Sequence, residues 1–108
     1  MFQKEISQYQ TIDGKVPFRD WLISFKDSTI RARIRTRIDR LQLGNFGDCK
    51  AVGDGVFELR IHFGAGYRIY FGQDGKSLVI LLCGGSKGSQ NKDILLAQDY
   101  WEDYKRRK

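Results

Sequence analysis

At 108 residues, 41% of them hydrophobic and 13% aromatic, the chain has the size of a single domain with a modest core of its own. A net charge of +6 and a pI near 9.5 point to a polyanion or an acidic protein as partner. Two cysteines and one histidine form no metal motif, the longest apolar run is six residues (Leu78 to Cys83), and the first residues have no leader pattern; no metal, no cofactor and no membrane partner is expected, and the thiols suit the reducing cytoplasm.

Residues 2–10 alternate loosely through Phe2, Ile6 and Tyr9, which predicts a first strand. Asp13-Gly14 marks a turn. Pro17 suits the first position of a short helix in which Phe18, Trp21, Leu22 and Phe25 recur at three- and four-residue steps. A second helix is predicted over 28–43, with Ser28 as N-cap and Ile30, Ile34, Ile38 and Leu41 as its core stripe. Arg31, Arg33, Arg35, Arg37 and Arg40 occupy its remaining surface, against one acid, Asp39. Gly44 is a natural stop, and 44–55 reads as a glycine-rich loop.

Beyond Gly55 the apolar period changes to two. Phe57, Leu59, Ile61 and Phe63 share one face; Glu58, Arg60 and His62 share the other. After Gly64-Ala65-Gly66 a second strand sets Tyr67, Ile69 and Phe71 against Arg68 and Tyr70. Gln73-Asp74-Gly75-Lys76 is a hairpin signal, and Leu78 to Cys83, apolar on both faces, predicts a central or doubly covered strand. The loop Gly84 to Ser89 leads to a last helix from about Lys92, striped by Ile94, Ala97, Trp101 and Tyr104, with a frayed tail over 105–108. The expected fold is α+β, in the order β-α-α-β-β-β-α, with a mainly antiparallel sheet packed on helices by one face. The other face would carry Glu58, Arg60, His62, Arg68 and Tyr70.

Residues on one face of a hairpin meet across the strands, so this polar set would form one patch, with Lys87 at its rim. Guanidinium, ammonium, imidazole and phenol groups suit a phosphodiester: the cations neutralise the phosphate and the charge that builds in its transition state. Tyr70 or His62 can stack on an unpaired base. His62 is the candidate general acid or base, because imidazole is the one side chain whose unperturbed value lies near neutrality, and Glu58 is a second candidate base. Outward polar residues on a half-exposed strand would give the same pattern with no function. The arginines of the second helix, Arg33 and Arg37 among them, can hold nucleic acid by counterion release, dock an acidic segment, or simply face solvent. Gly84 to Ser89 lacks the spacing of a P-loop and is a weak phosphate signal.

The segments Phe57-Glu58-Leu59-Arg60 and Gly66-Tyr67-Arg68-Ile69-Tyr70-Phe71 resemble the RelE/ParE superfamily of bacterial toxins. The stretch from Leu81 to Gln90, followed by Lys92-Asp93-Ile94 and Ala97, resembles its HigB-like, phage Gp49-like branch, the addiction-module killer proteins. Phe18-Arg19-Asp20-Trp21-Leu22 and Gly44-Asn45-Phe46-Gly47-Asp48 extend the likeness over nearly the whole chain. The resemblance implies a RelE-like fold, a cognate antitoxin of the small helix-turn-helix kind, and inhibition of translation by cutting mRNA on the ribosome. It implies that Arg60, Arg68 and Lys87 grip the scissile phosphate and that His62 takes the place of the sheet histidine common in HigB proteins. The stacking tyrosine of RelE has no counterpart in Asn91-Lys92-Asp93-Ile94, which leaves Tyr70 as the substitute. Two other readings remain open on the sequence: a ParE-like inhibitor of DNA gyrase, and a catalytically inactive RNA-binding relative.

Overall fold

The computed structural model describes residues 3–108; Phe2 of the predicted first strand lies outside them. The elements are β1 (Glu5–Gln8), α1 (Pro17–Ser24), α2 (Ser28–Gln42), β2 (Cys49–Ala51), β3 (Val56–Ile61), β4 (Tyr67–Asp74), β5 (Leu78–Ser86) and α3 (Gln90–Arg107), with a 3-10 turn at Lys87–Ser89 leading into α3. They form an α+β fold around one mixed five-stranded sheet of order β1-β5-β4-β3-β2. Every neighbouring pair is antiparallel except β1 with β5, where Glu5 faces Leu78 and Gln8 faces Leu81.

Period-two alternation sends the side chains of β3 and β4 to two different cores. Leu59, Ile69 and Phe71, with Val79 and Leu81 of β5, pack under Phe18 and Leu22 of α1 and Ile34 and Leu41 of α2. Val56, Tyr70, Ile80, Leu82 and Cys83 pack under Ala97 and Trp101 of α3. The doubly apolar run of β5 therefore lies in the middle of three layers. Its register shifts where Tyr70 pairs with Cys83 but Phe71 pairs with Leu81, leaving Leu82 as an extra residue. This bulge lets Leu82 and Cys83 both serve the α3 core.

Four sequence expectations change. Helices cover both faces of the sheet, so the second face is not a solvated wall: α3 lies over it. Asp27 rather than Ser28 caps α2, its carboxylate accepting from the Thr29 amide at 2.8 Å. Part of the glycine-rich loop is the short edge strand β2, in which Cys49 faces Leu59; its three residues lie in a stretch where glycines mask any alternation. The tail is helical to Arg107 and tied down. There Arg107 donates to Asp103 and to the Gln10 carbonyl, and Lys108 pairs with Asp74.

The α3 layer sits close because β4 offers a glycine. A Cβ on Gly72 would lie 2.5 Å from ring carbons of Trp101, which is itself buried. Gly72→Ala is expected to lower the unfolding free energy by about 1–3 kcal/mol through overpacking, read as a drop in the urea midpoint. An unchanged midpoint would mean that Trp101 can leave its seat at no cost.

Candidate functional site

β3 and β4 pair so that Arg60 faces Arg68 and Glu58 faces Tyr70. Like charges directly opposite on neighbouring strands repel, so this pair needs a compensating anion. Glu58 supplies it from a fully buried position. Its Oε1 accepts from Arg60 Nε at 3.0 Å. Its Oε2 accepts from Gln90 Nε2 at 2.8 Å and from the Tyr70 hydroxyl at 3.1 Å, and lies 3.5 Å from Arg68 Nε. Burial pushes the Glu58 carboxyl up, but the bonds from Gln90, Arg60 and Tyr70 and the charge of Arg68 outweigh it and hold the group below its ordinary value.

Glu58 is therefore an ionised anchor, a poor proton acceptor at neutral pH, and closed off from the surface. Tyr70 is fully buried as well, its hydroxyl pushed well up by burial and then by the Glu58 charge. Strand alternation alone places both residues on an exposed polar face; the cover of α3 and its N-terminal Gln90 removes them from it. Their work is to place the two arginines. The α3 cover ends where Gln90 reaches Glu58, and the Arg60–Arg68 pair lies one step further along the strands.

A cleft of about 600 Å³ opens there, and Arg60, His62, Arg68 and Lys87 all line it. The structure thus brings the four together. Arg68 is largely buried, its side chain 11% exposed, and its Nε makes no hydrogen bond. Arg60 is the more exposed of the pair. Lys87 stands exposed on the 3-10 turn, whose backbone is tied to the rim by its amide donating to the Gly66 carbonyl at 3.3 Å. One carboxylate behind two guanidiniums and an ammonium leaves the cleft an excess of positive charge.

His62 is exposed at the rim, and its Nε2 is paired with Asp48 Oδ2. Sequence reasoning misses Asp48 because it lies in the glycine-rich loop. It reaches His62 because the Arg60 amide donates to its carbonyl at 2.9 Å, which extends the β2–β3 pairing. The bond to His62 holds the Asp48 carboxyl below its ordinary value. Phe63 and Tyr67, assigned by alternation to the core face, also line the cleft, since they stand at the strand ends beside the Gly64-Ala65-Gly66 loop.

Arg33 and Arg37 do not line this cleft. They line a neighbouring one of about 320 Å³, between α2 and the same Arg60-to-Phe63 stretch. Arg33 lies over the Phe63 ring at 4.6 Å, and Arg37 Nη2 donates to the Phe46 carbonyl at 3.1 Å.

Such a site can hold a phosphodiester by charge and by guanidinium hydrogen bonds, and stabilise negative charge that grows on it. No helix of the described residues is long and apolar enough to cross a membrane. The model of a family described as phage derived protein Gp49-like matches residues 20–100, from within α1 to well inside α3. An uncharacterized protein of Haemophilus influenzae is 55% identical over 92 residues, which cover 82% of this chain and 93% of that protein. The Gp49-like family is associated with the killer proteins of toxin–antitoxin systems. Matched across the whole sheet apart from β1, this chain belongs to the phage-derived Gp49-like family.

Proposed function

We propose that the chain is the toxin of a type II toxin–antitoxin pair, RelE-like in fold and action, which inhibits translation by cutting mRNA on the ribosome. The observation that carries this reading is the Arg60–Arg68 pair, set side by side over one buried carboxylate at the floor of an open cleft. Two adjacent cations with half their charge compensated favour a phosphate between them.

In the proposed reaction the ribose 2′-oxygen attacks the adjacent phosphorus in line with the leaving 5′-oxygen. The products are a 2′,3′-cyclic phosphate and a free 5′-hydroxyl. Arg60, Arg68 and Lys87 neutralise the charge that builds on the phosphate oxygens. His62 is the imidazole at the rim, available to move a proton. His62 is exposed at the rim and its Nε2 is taken up by Asp48, so cleavage of free RNA is expected to be slow, with the ribosome supplying the aligned substrate. The cognate antitoxin, a small helix-turn-helix protein in this reading, would silence the toxin.

The test is to induce the protein in bacteria and map the 5′ ends of cellular mRNA by primer extension, with plasmid supercoiling followed in parallel. New ends inside coding regions are expected. Growth arrest with altered supercoiling and no new ends would overturn the nuclease reading and favour gyrase as the target. Neither arrest nor cuts would leave a folded but inactive relative.

A further inference from the structure

The two clefts share a wall made of Arg60, Ile61, His62 and Phe63. On the far side, Arg33, Arg37 and Arg40 follow one another at steps of four and three along α2, which places them on one helix face. Among the described residues none of the three has an acidic partner within ion-pair distance. Asp48, the one acid lining the second cleft, is paired with His62.

Two of the three are held by contacts. Arg37 is half-buried, donates to the Phe46 carbonyl, and packs against Gly47, where a Cβ would come within 2.8 Å of its guanidinium. Burial first, and the neighbouring Arg40 charge second, lower the Arg37 guanidinium below its ordinary value. Arg33 rests on the face of Phe63, a ring that also borders the first cleft. A line of mutually repelling cations, whose one neighbouring carboxylate is already paired with His62, is complementary to a chain of phosphates.

We infer that the α2 cleft is a second subsite, which takes the phosphates of the single-stranded RNA flanking the scissile bond, so that the strand passes over the His62–Phe63 wall from one cleft to the other. This rests on the proposed nuclease site, which would hold the scissile phosphate itself. Binding energy from the flanking strand would fix the reacting nucleotide against Arg60 and Arg68. Arg40, which the sequence did not single out from the other arginines, belongs to this subsite with Arg33 and Arg37.

The experiment compares a fluorescent dodecanucleotide with a trinucleotide, both 2′-deoxy at every position to prevent cleavage, by anisotropy over a range of salt. The proteins are the wild type and an Arg33→Gln/Arg40→Gln double variant, chosen because both side chains are exposed and the core is untouched. The wild type is expected to bind the longer strand more tightly than the shorter. In the double variant this gain should fall by roughly tenfold, and the salt slope for the longer strand should flatten by about 1.4, because two fewer phosphates are neutralised. A double variant with the wild-type gain and slope would overturn the subsite. A wild type that binds both lengths equally would overturn it too, while leaving the nuclease cleft standing. A wild type that binds neither length would overturn the subsite, whereas the nuclease reading stands or falls on the mRNA ends mapped in induced cells.

Discussion

Arg68→Ala is expected to abolish the new mRNA ends seen on induction, with a fall in cleavage rate of roughly a hundredfold or more, the scale of losing one preorganised charged donor at a transition state. The residue is well placed for such an effect. It is nearly buried, so its guanidinium is fixed, and its Nε has no hydrogen bond that would offset the cost of burial. The variant should still fold, because Glu58 keeps Arg60, Tyr70 and Gln90 as partners, and a thermal melt run alongside checks this. Arg68→Lys should restore only part of the rate, since an ammonium keeps the charge but not the planar fork. Cleavage within a few-fold of wild type in folded Arg68→Ala would remove this arginine from the phosphate site and with it the argument from the paired guanidiniums.

The second large effect falls on stability. Glu58→Ala leaves two arginines facing each other with no carboxylate between them, one of them almost buried. Removing one partner of a buried ion pair typically costs about 3–5 kcal/mol. Arg60 can turn toward water, so the lower end, about 3 kcal/mol, is the expected loss in urea unfolding. The site also separates structure from charge in its pH dependence. The Glu58 carboxyl is held below its ordinary 4.5 in the folded protein, so the folded state favours the ionised form. Its contribution is then fully present above that ordinary value and is lost as pH falls through the lowered one. Wild-type stability should decline through this acid range, and Glu58→Gln should flatten that part of the decline. Equal slopes for the two proteins would show that Glu58 is not held in its ionised form.

Much of this was legible in the sequence because strand alternation is a strict code. The period-two reading puts Arg60, His62 and Arg68 on one face, and all of them reach one cleft with Lys87. The same code cannot say what covers that face. The stripe Ile94, Ala97, Trp101 and Tyr104 shows that the last helix must bury a side, but not which side of the sheet receives it. Glu58 and Tyr70 therefore look like partners for RNA when they are supports beneath the arginines. Alternation also fails at strand ends, which is why it sends Phe63 and Tyr67 to the core alone. Asp48 leaves no signal: a single carboxylate among glycines acquires meaning only when the chain folds it against a histidine fourteen positions on.

The parallel pairing of β1 with β5 bears on how the molecule is assembled. The other three ladders each join consecutive antiparallel strands across a short loop, so they can form while little of the chain has been ordered. β1 has to wait for a partner most of the chain away, and ordering everything between is the larger entropic demand. Tyr9, just beyond β1, bonds to Asp103 near the far end of α3, so the same closure locks the two ends of the described chain together. The arginine cleft lies wholly within the β3–β4–β5 meander and the turn after it. Its strand register can therefore be set early, while the buried seat of Glu58 is completed when α3 brings Gln90 over it.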